Sequence, residues 1–440
     1  MEILLKDPIL RDIGRQMYEL IGRLYPICRS ITGEGVRDTL EIIREHIPLE
    51  VHEVPTGTRV FDWTVPEEWN IRDAYIKNSK GEKIVDFRKT NLHVLGYSVP
   101  VRGKFSLEEL REHIFTSPEH PDRIPYRTSY YNRNWGFCMS HVRYEQLEED
   151  TYEVVIDSEL KKGSLTYGEM YIKGACEEEV LFTCYTCHPS MCNDNLSGIA
   201  LLTLLAKKLS GIDLKYSYRF LFIPETIGAV TWLCLNENNV SRIKCGLGAY
   251  CLGDRGGLTY KRSRSGDAII DRIAEKVLGD SGQPHRIIDF NPAYGSDERQ
   301  FCSPGFDLPV GSLTRSPSHV FDEYHSSADN LDAVSAEHLA DSMEKYIEIV
   351  SVIENDGKYE SLNPKCEPQL GKRGLYSKIG SKYSKTENEA DEMAMLWVLN
   401  MSDGTYSVLD IAVRSGMTFR EIKSAADILS RNGLLRKVEE

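Results

Sequence analysis

The chain has 440 residues, 41% hydrophobic and 27% charged, with a formal net charge of −14. That length suffices for two or three domains and at least one large core, and the acidic balance argues against a chain devoted to nucleic acid, whose phosphates need a concentrated basic surface. No apolar run nears the roughly 18 residues of a membrane span, and the start MEILLKDPIL lacks the basic end and long apolar core of a signal peptide, so a cytoplasmic protein with no membrane partner is expected.

In chain order, Ile9, Ile13, Met17, Leu20, Ile21 and Leu24 recur at three- and four-residue spacing and predict an amphipathic helix up to Pro26. A second helix is predicted over 35–46, after a turn at 30–33. The stretch CRSITGEG is polar enough for a small anion loop but reads more readily as an ordinary turn. From residue 51 the texture changes. Segments 51–55, 74–77 and 92–97 read as strands, with Lys80-Gly81 as a hairpin turn. The stretch RTSYYNRNWGFCMSH, 127–141, mixes aromatics, arginines and His141; it can form a rigid, polar-tipped binding wall or the core of a small β domain. We assign 51–150 to an inserted, mostly β domain.

A β/α rhythm begins at Tyr152. Strands are predicted at 152–156, 180–186, 218–223 and 248–252, with helices at 197–210 and 228–236, which gives an α/β fold with a mostly parallel sheet flanked by helices. Polar residues gather where these strands end: His188 and Asp194, then Glu225-Thr226, then Gly253-Asp254, and further on SDERQF from Ser296 and EYHSSADNLD with His325. Imidazoles and carboxylates at the carboxyl edge of such a sheet suit a zinc site. Cys184, Cys187 and Cys192 crowd the same loop, but no second Cys-x-x-Cys follows at finger-like spacing, so they read as small core fillers. With an odd total of eleven, the cysteines are expected to be reduced thiols.

A helix is predicted over 335–353 and a connector over 354–386. Helices at 389–400, 407–414 and 418–432, capping-box spacing between Thr418 and Glu421, and a strand at LLRKV predict a winged helix. Residues 406–440 hold six Lys or Arg against five Asp or Glu. That slight basic footprint favours protein contact or dimerisation over DNA.

Taken together, CHPSMCNDNLSG, FIPETIG, CLGD, SDERQF and YHSSADNLD, in this order and at these spacings, resemble the zinc aminopeptidase fold of the M28 type over 1–50 and 151–355. The insertion, with VPTGTRVFDWTVPEEWNIRDAY, and the whole arrangement resemble bacterial aminopeptidase-like proteins, once domains of unknown function, found beside polysaccharide-biosynthesis genes. The resemblance implies His188 as a metal ligand, Asp194 as the carboxylate that would bridge two metals, Asp254 as the second site's carboxylate, His325 as the distal imidazole and Glu225 as general base. Where the dinuclear enzymes carry a second acidic residue after the base, this chain has Thr226, a poor zinc ligand. One zinc per chain is therefore expected, held by His188, Asp194, His325 and a water, with Asp254 as fourth ligand or as an orienting partner.

Ser296, Asp297 and Glu298 are expected to support the site or contact substrate. Tyr324 is a candidate oxyanion donor or substrate contact, and His141 and His319 are further candidates to reach it. The expected organisation is a catalytic domain, 1–50 and 151–355, an insertion, 51–150, a linker, 356–386, and a winged helix, 387–440. The expected function is zinc-dependent hydrolysis of an amide bond in a small-molecule or peptide-like substrate, linked to polysaccharide biosynthesis. N-acyl amino-sugar deacylation and a non-catalytic regulatory role are the alternatives, and a homo-oligomer is left open.

Overall fold

The computed structural model describes residues 7–293, 295–317, 320–375 and 387–438, without the side chains of 7 and 387–391. It forms two units, residues 1–271 with 285–344, and 272–284 with 345–440. Among the described residues no helix is long and apolar enough to cross a membrane.

The first unit is built on an eight-stranded sheet in the order Glu50–Pro55, Ser164–Ile172, Ser217–Ile223, Glu179–Tyr185, Ile243–Ala249, Val310–Thr314, Leu258–Lys261, His285–Ile288. Its four middle strands are parallel, while Ser164–Ile172 and Leu258–Lys261 flank them antiparallel. The strand Glu179–Tyr185 is buried at every position, as a strand covered on both faces must be. Phe182 stacks on Tyr218 and Phe220 of the next strand. The helix Ser197–Leu209 is apolar around most of its circumference and buries all but Lys207 and Lys208, because it packs against the sheet on one side and the helix Asp7–Leu24 on the other. Its start needs Gly198: a Cβ there would meet the Ala249 carbonyl oxygen at 2.2 Å.

From Glu179–Tyr185 the chain moves to its neighbour Ser217–Ile223 on one side and then to Ile243–Ala249 on the other. The carboxyl end of Glu179–Tyr185 is thus a topological switch point, where open α/β sheets bind ligands.

The insertion holds a separate antiparallel sheet, Lys83–Asp86, Glu68–Lys77, Thr151–Lys161, Val101–Ser106. Two expected boundaries shift as a result. Glu50–Pro55 is an edge of the main sheet, and Thr151–Lys161, expected to open the β/α rhythm, lies inside the insertion's sheet, so the insertion spans 56–163 rather than 51–150. Alternation along a strand reads the same in either sheet; pairing such as Ala74 opposite Ile156 decides membership. The expected strand at 92–97 is a short helical turn, Asn91–His93, whose Leu92 amide donates to Thr90 Oγ1, followed by irregular chain. The strand expected at 248–252 ends at Ala249, releasing residues 250–254 to the site.

In the second unit the helices Val408–Ser415 and Phe419–Arg431 start at capping boxes, Ser407 with Asp410 and Thr418 with Glu421. A three-stranded sheet, Asp403–Ser407, Lys358–Ser361, Leu435–Lys437, completes the winged helix. Its central strand lies within the expected linker 356–386: four residues amid Gly, Asn and Pro are too short to show a period, and their pairing partners lie far along the chain. Residues 376–386 of that stretch lie outside the described residues. Also within this unit, Asp280 accepts from the Phe419 amide at 3.0 Å and Arg272 pairs with Asp410 at 2.5 Å.

Candidate metal centre

His188 and Asp194 stand on the loop leaving Glu179–Tyr185, and Glu225 stands just beyond Ser217–Ile223. His325 Nε2 lies 3.1 Å from Asp194 Oδ2, and His188 Nε2 lies 3.9 Å from the same oxygen and 4.0 Å from Glu225 Oε2. The ligand atoms of His188, Asp194 and His325 all fall within 4.8 Å of one another. Asp194 Oδ2 and His325 Nε2 are buried without a hydrogen bond of acceptable geometry. Two converging, unsatisfied lone-pair atoms are costly unless a cation completes them. Two imidazoles and one carboxylate with room for a further ligand fit a zinc ion.

The surroundings fix these side chains. Asp194 Oδ1 receives the Tyr185 hydroxyl, and the Asp194 and Asn193 amides donate to the Asp329 carboxylate at 2.9 and 2.7 Å. The bond from Asp194 to Asn195 is cis. Arg29 Nε donates to the His188 carbonyl at 2.7 Å, which gives the CRSITGEG segment a structural task at the site. His188 Nδ1 faces Cys187 Sγ at 3.4 Å, so that Nε2 is the nitrogen turned to Asp194. The insertion contributes as well. The Tyr126 amide donates to the His325 carbonyl at 2.7 Å, and its ring lies against both imidazoles, 5.3 Å from His188 and 5.0 Å from His325.

Burial keeps His188 uncharged, pushing its pKa down to about 4. For Asp194 burial opposes ionisation, yet the imidazoles and the Tyr185 hydroxyl outweigh it and hold the carboxyl at about 2. Since His188 is itself neutral above about 4, its charge no longer contributes at neutral pH, whereas the Tyr185 hydrogen bond does. Glu225, with 28% of its side chain exposed, is raised to about 7 by desolvation and then by the charge of Asp194. Ser296 Oγ donates to Glu225 at 3.0 Å. Thr226 sits at φ +62, a strained conformation for a β-branched residue, and its amide donates to Asp297 Oδ1 at 2.7 Å.

Two expected roles change. Asp254 stands outside the cluster, and its oxygens already accept from Asn193 Nδ2, Ser316 and the Gly256 amide, which ties down the neighbouring loop. Asp297, expected to support the site or contact substrate, is fully buried and takes the supporting place, on the turn carrying Glu225. His141 bonds Thr116 and faces Glu145 within the insertion, and His319 lies outside the described residues. Glu298 pairs with Lys261, also buried.

Tyr324 does reach the site: it stacks on His325 at 3.8 Å and lines a cavity of about 80 Å³ with Tyr185, Glu225, Cys251 and Ser296. A second group, Cys187, His188 and Glu225, also meets the ligand-distance criterion. The Cys187 thiol, however, already accepts from the Glu225 amide, and burial pushes its pKa well up. Tyr185, Asp329, Tyr126 and Arg29 were not expected at the site. Only Asp329 stood within a motif that pointed here, YHSSADNLD.

A family profile described as a domain of unknown function (DUF4910) matches residues 18–356, and one described as a winged helix-turn-helix matches 357–437. A relative from Clostridium acetobutylicum, provisionally named a polysaccharide biosynthesis protein with aminopeptidase-like domain, is 60% identical over 427 residues, 97% of each chain. The crystal structure of a provisionally named peptidase from Clostridium acetobutylicum superimposes with a TM-score of 0.93 at 58% identity, covering 98% of this chain and 97% of that one. A zinc aminopeptidase from Bacillus subtilis superimposes with a TM-score of 0.57 at 12% identity, over 77% of this chain and 94% of that one, which is a likeness of fold.

Proposed function

The chain belongs to the family of the domain of unknown function DUF4910, carries a winged helix-turn-helix after it, and has an aminopeptidase-like fold; from that premise we propose that it is a zinc-dependent hydrolase of an amide bond in a small or peptide-like substrate. The observation that carries the reading is the convergence of His188, Asp194 and His325, two of them with unsatisfied atoms, beside the partly exposed carboxyl of Glu225. Bound there, zinc would polarise the scissile carbonyl and acidify a water at its open position. Glu225, whose Oε2 lies 4.0 Å from His188 Nε2, would stand beside the ion without being needed as a ligand. It would take the water's proton and return it to the leaving amine, while the Ser296 hydroxyl holds the carboxyl in place. Thr226 offers no anionic donor, which supports a single ion. The provisional name of the Clostridium acetobutylicum relative supports a link to polysaccharide biosynthesis.

For the winged helix, the reading is protein contact. Recognition helices present their amino-terminal residues to bases; here the Phe419 amide at that end is taken by the Asp280 carboxylate. Elemental analysis of chain purified without chelator tests the centre. About one zinc per chain is expected, and none after zinc is supplied would remove the hydrolase reading. A screen of aminoacyl-arylamides against N-acyl amino sugars then identifies the bond.

A further inference from the structure

Phe61, Trp63 and Tyr131 of the insertion are exposed to 39%, 39% and 46%, and two of them sit in left-handed backbone, Phe61 at φ +54 and Tyr131 at φ +67. Buried Tyr97 beside them is at φ +68. Such conformations cost bulky residues stability and persist where the surrounding structure enforces them, mostly at functional sites. Here they coincide with three more, Thr226, Cys251 and His325, at the metal centre.

The two places are joined by contacts. Trp63 meets Tyr131 edge to face at 5.5 Å, and Tyr131 meets Tyr130 at 6.4 Å. The Tyr130 and Tyr126 hydroxyls are 2.7 Å apart, and the Tyr126 ring lies on His188 and His325. An unbroken series of aromatic side chains therefore leads from the surface to the histidines.

Tyr131, alone of the three exposed aromatics, borders a cavity of about 340 Å³, lined also by Tyr97, Leu160, Thr64, Asn132, Glu67 and Arg133, and Trp63 backs it through its contact with Tyr131. Its size is at the small end for ligand pockets, enough for one or two rings. Glu67 and Arg133 pair at 2.5 Å, so the lining offers donors and acceptors but no net charge. An isolated carboxylate, phosphate or ammonium would find no uncompensated partner, and a purely apolar group would strip water from polar atoms without replacing it. Aromatic faces beside neutral donor and acceptor groups match a ring with a C–H face and a rim of hydroxyls.

We propose that this cavity, with the aromatic side chains behind it and joined through them to the metal centre, binds a sugar ring. That the sugar belongs to a substrate rests on the hydrolase reading; the sugar site does not.

The test is saturation-transfer NMR on the full chain carrying Glu225→Gln, with N-acetylglucosamine, N-acetylgalactosamine and N-acetylmannosamine as probes and phenylalanine amide as the contrast. Transfer to the ring protons of at least one sugar is expected, reduced at least fivefold in Trp63→Ala and in Tyr131→Ala. Both positions are exposed, and each variant is checked by its thermal unfolding, so either stands alone if the other misfolds. Absence of transfer to all three sugars, insensitivity to both substitutions, or stronger transfer to phenylalanine amide would overturn the sugar site, the last in favour of a peptide side chain. The readout needs neither metal nor turnover. Sugar binding without hydrolysis of any amide would remove the hydrolase reading alone, and hydrolysis without sugar binding would remove the sugar site alone.

Discussion

Asp194 Oδ2 is the atom on which the centre converges, 3.1 Å from one imidazole nitrogen and 3.9 Å from the other. Asp194→Asn keeps the shape and the Tyr185 contact but removes the anionic donor, and His188→Ala removes a ligand; both are expected to lower bound zinc from about one per chain to nearly none by elemental analysis. Glu225→Gln separates metal binding from proton transfer. Full zinc content with turnover reduced by roughly 10²–10⁴ is expected, and unchanged turnover would show that another group carries the proton. His188, Asp194, His325 and Glu225 were legible because their side chains are chemically conspicuous at strand ends. Asp254 was equally conspicuous and stands elsewhere in function, since only the folded loop brings Asn193 and Ser316 onto its oxygens. Tyr185 and Tyr126 were invisible for the opposite reason: a tyrosine in an apolar or aromatic run reads as packing until its contacts are known.

At the scale of elements, the helix Glu34–Arg44 is tied to the eight-stranded and the four-stranded sheets of the first unit by Arg37, which reaches Glu68 at 2.6 Å and Glu53 at 2.9 Å. Buried Glu68 also accepts from the Ser164 amide and Asn70. The Arg37 guanidinium holds its carboxyl at about 2, below the ordinary 4.5. A depressed folded-state value means that the stabilisation is complete above the unfolded value and is lost as pH falls through 4.5 toward about 2. The shift sets a ceiling of ~3 kcal/mol, and the partial exposure of Arg37 reduces the expected contribution to about 1–2 kcal/mol. Denaturant unfolding of wild type and Glu68→Gln should therefore differ by about that amount at pH 7, and the gap should narrow as pH falls below 4.5 and close only near about 2; a gap that stays constant with pH would assign the loss to packing instead. Such ties explain which elements the sequence revealed. Helices with capping boxes, Thr418 with Glu421 above all, carry their own start signals, whereas Glu50–Pro55 and Thr151–Lys161 owe their sheet membership to partners far along the chain, such as Glu50 opposite Glu169 and Glu68 opposite Lys161.

For the molecule as a whole, the winged helix raises the question of what a hydrolase-like fold gains from it. Charge alone leaves the matter open, with six basic against five acidic residues in 406–440. The second unit supplies the missing constraint. Asp280 places a carboxylate on the amide at the start of Phe419–Arg431, the end that would approach bases, and Arg272 engages Asp410 on the preceding helix. Anionic DNA brought to that end would meet a fixed negative charge and would have to displace a charge-assisted hydrogen bond. No shift of random duplex is therefore expected in a gel assay at low salt, where non-specific phosphate contacts are strongest. Asp280→Ala should still give none, because the rest of the surface has little excess positive charge, but it should lower the unfolding temperature by leaving the Phe419 amide without its acceptor, even with the Thr418 capping box in place. A shift by wild type would assign the domain to DNA. A shift gained only in Asp280→Ala would recast the Asp280 contact as a latch over a nucleic-acid surface.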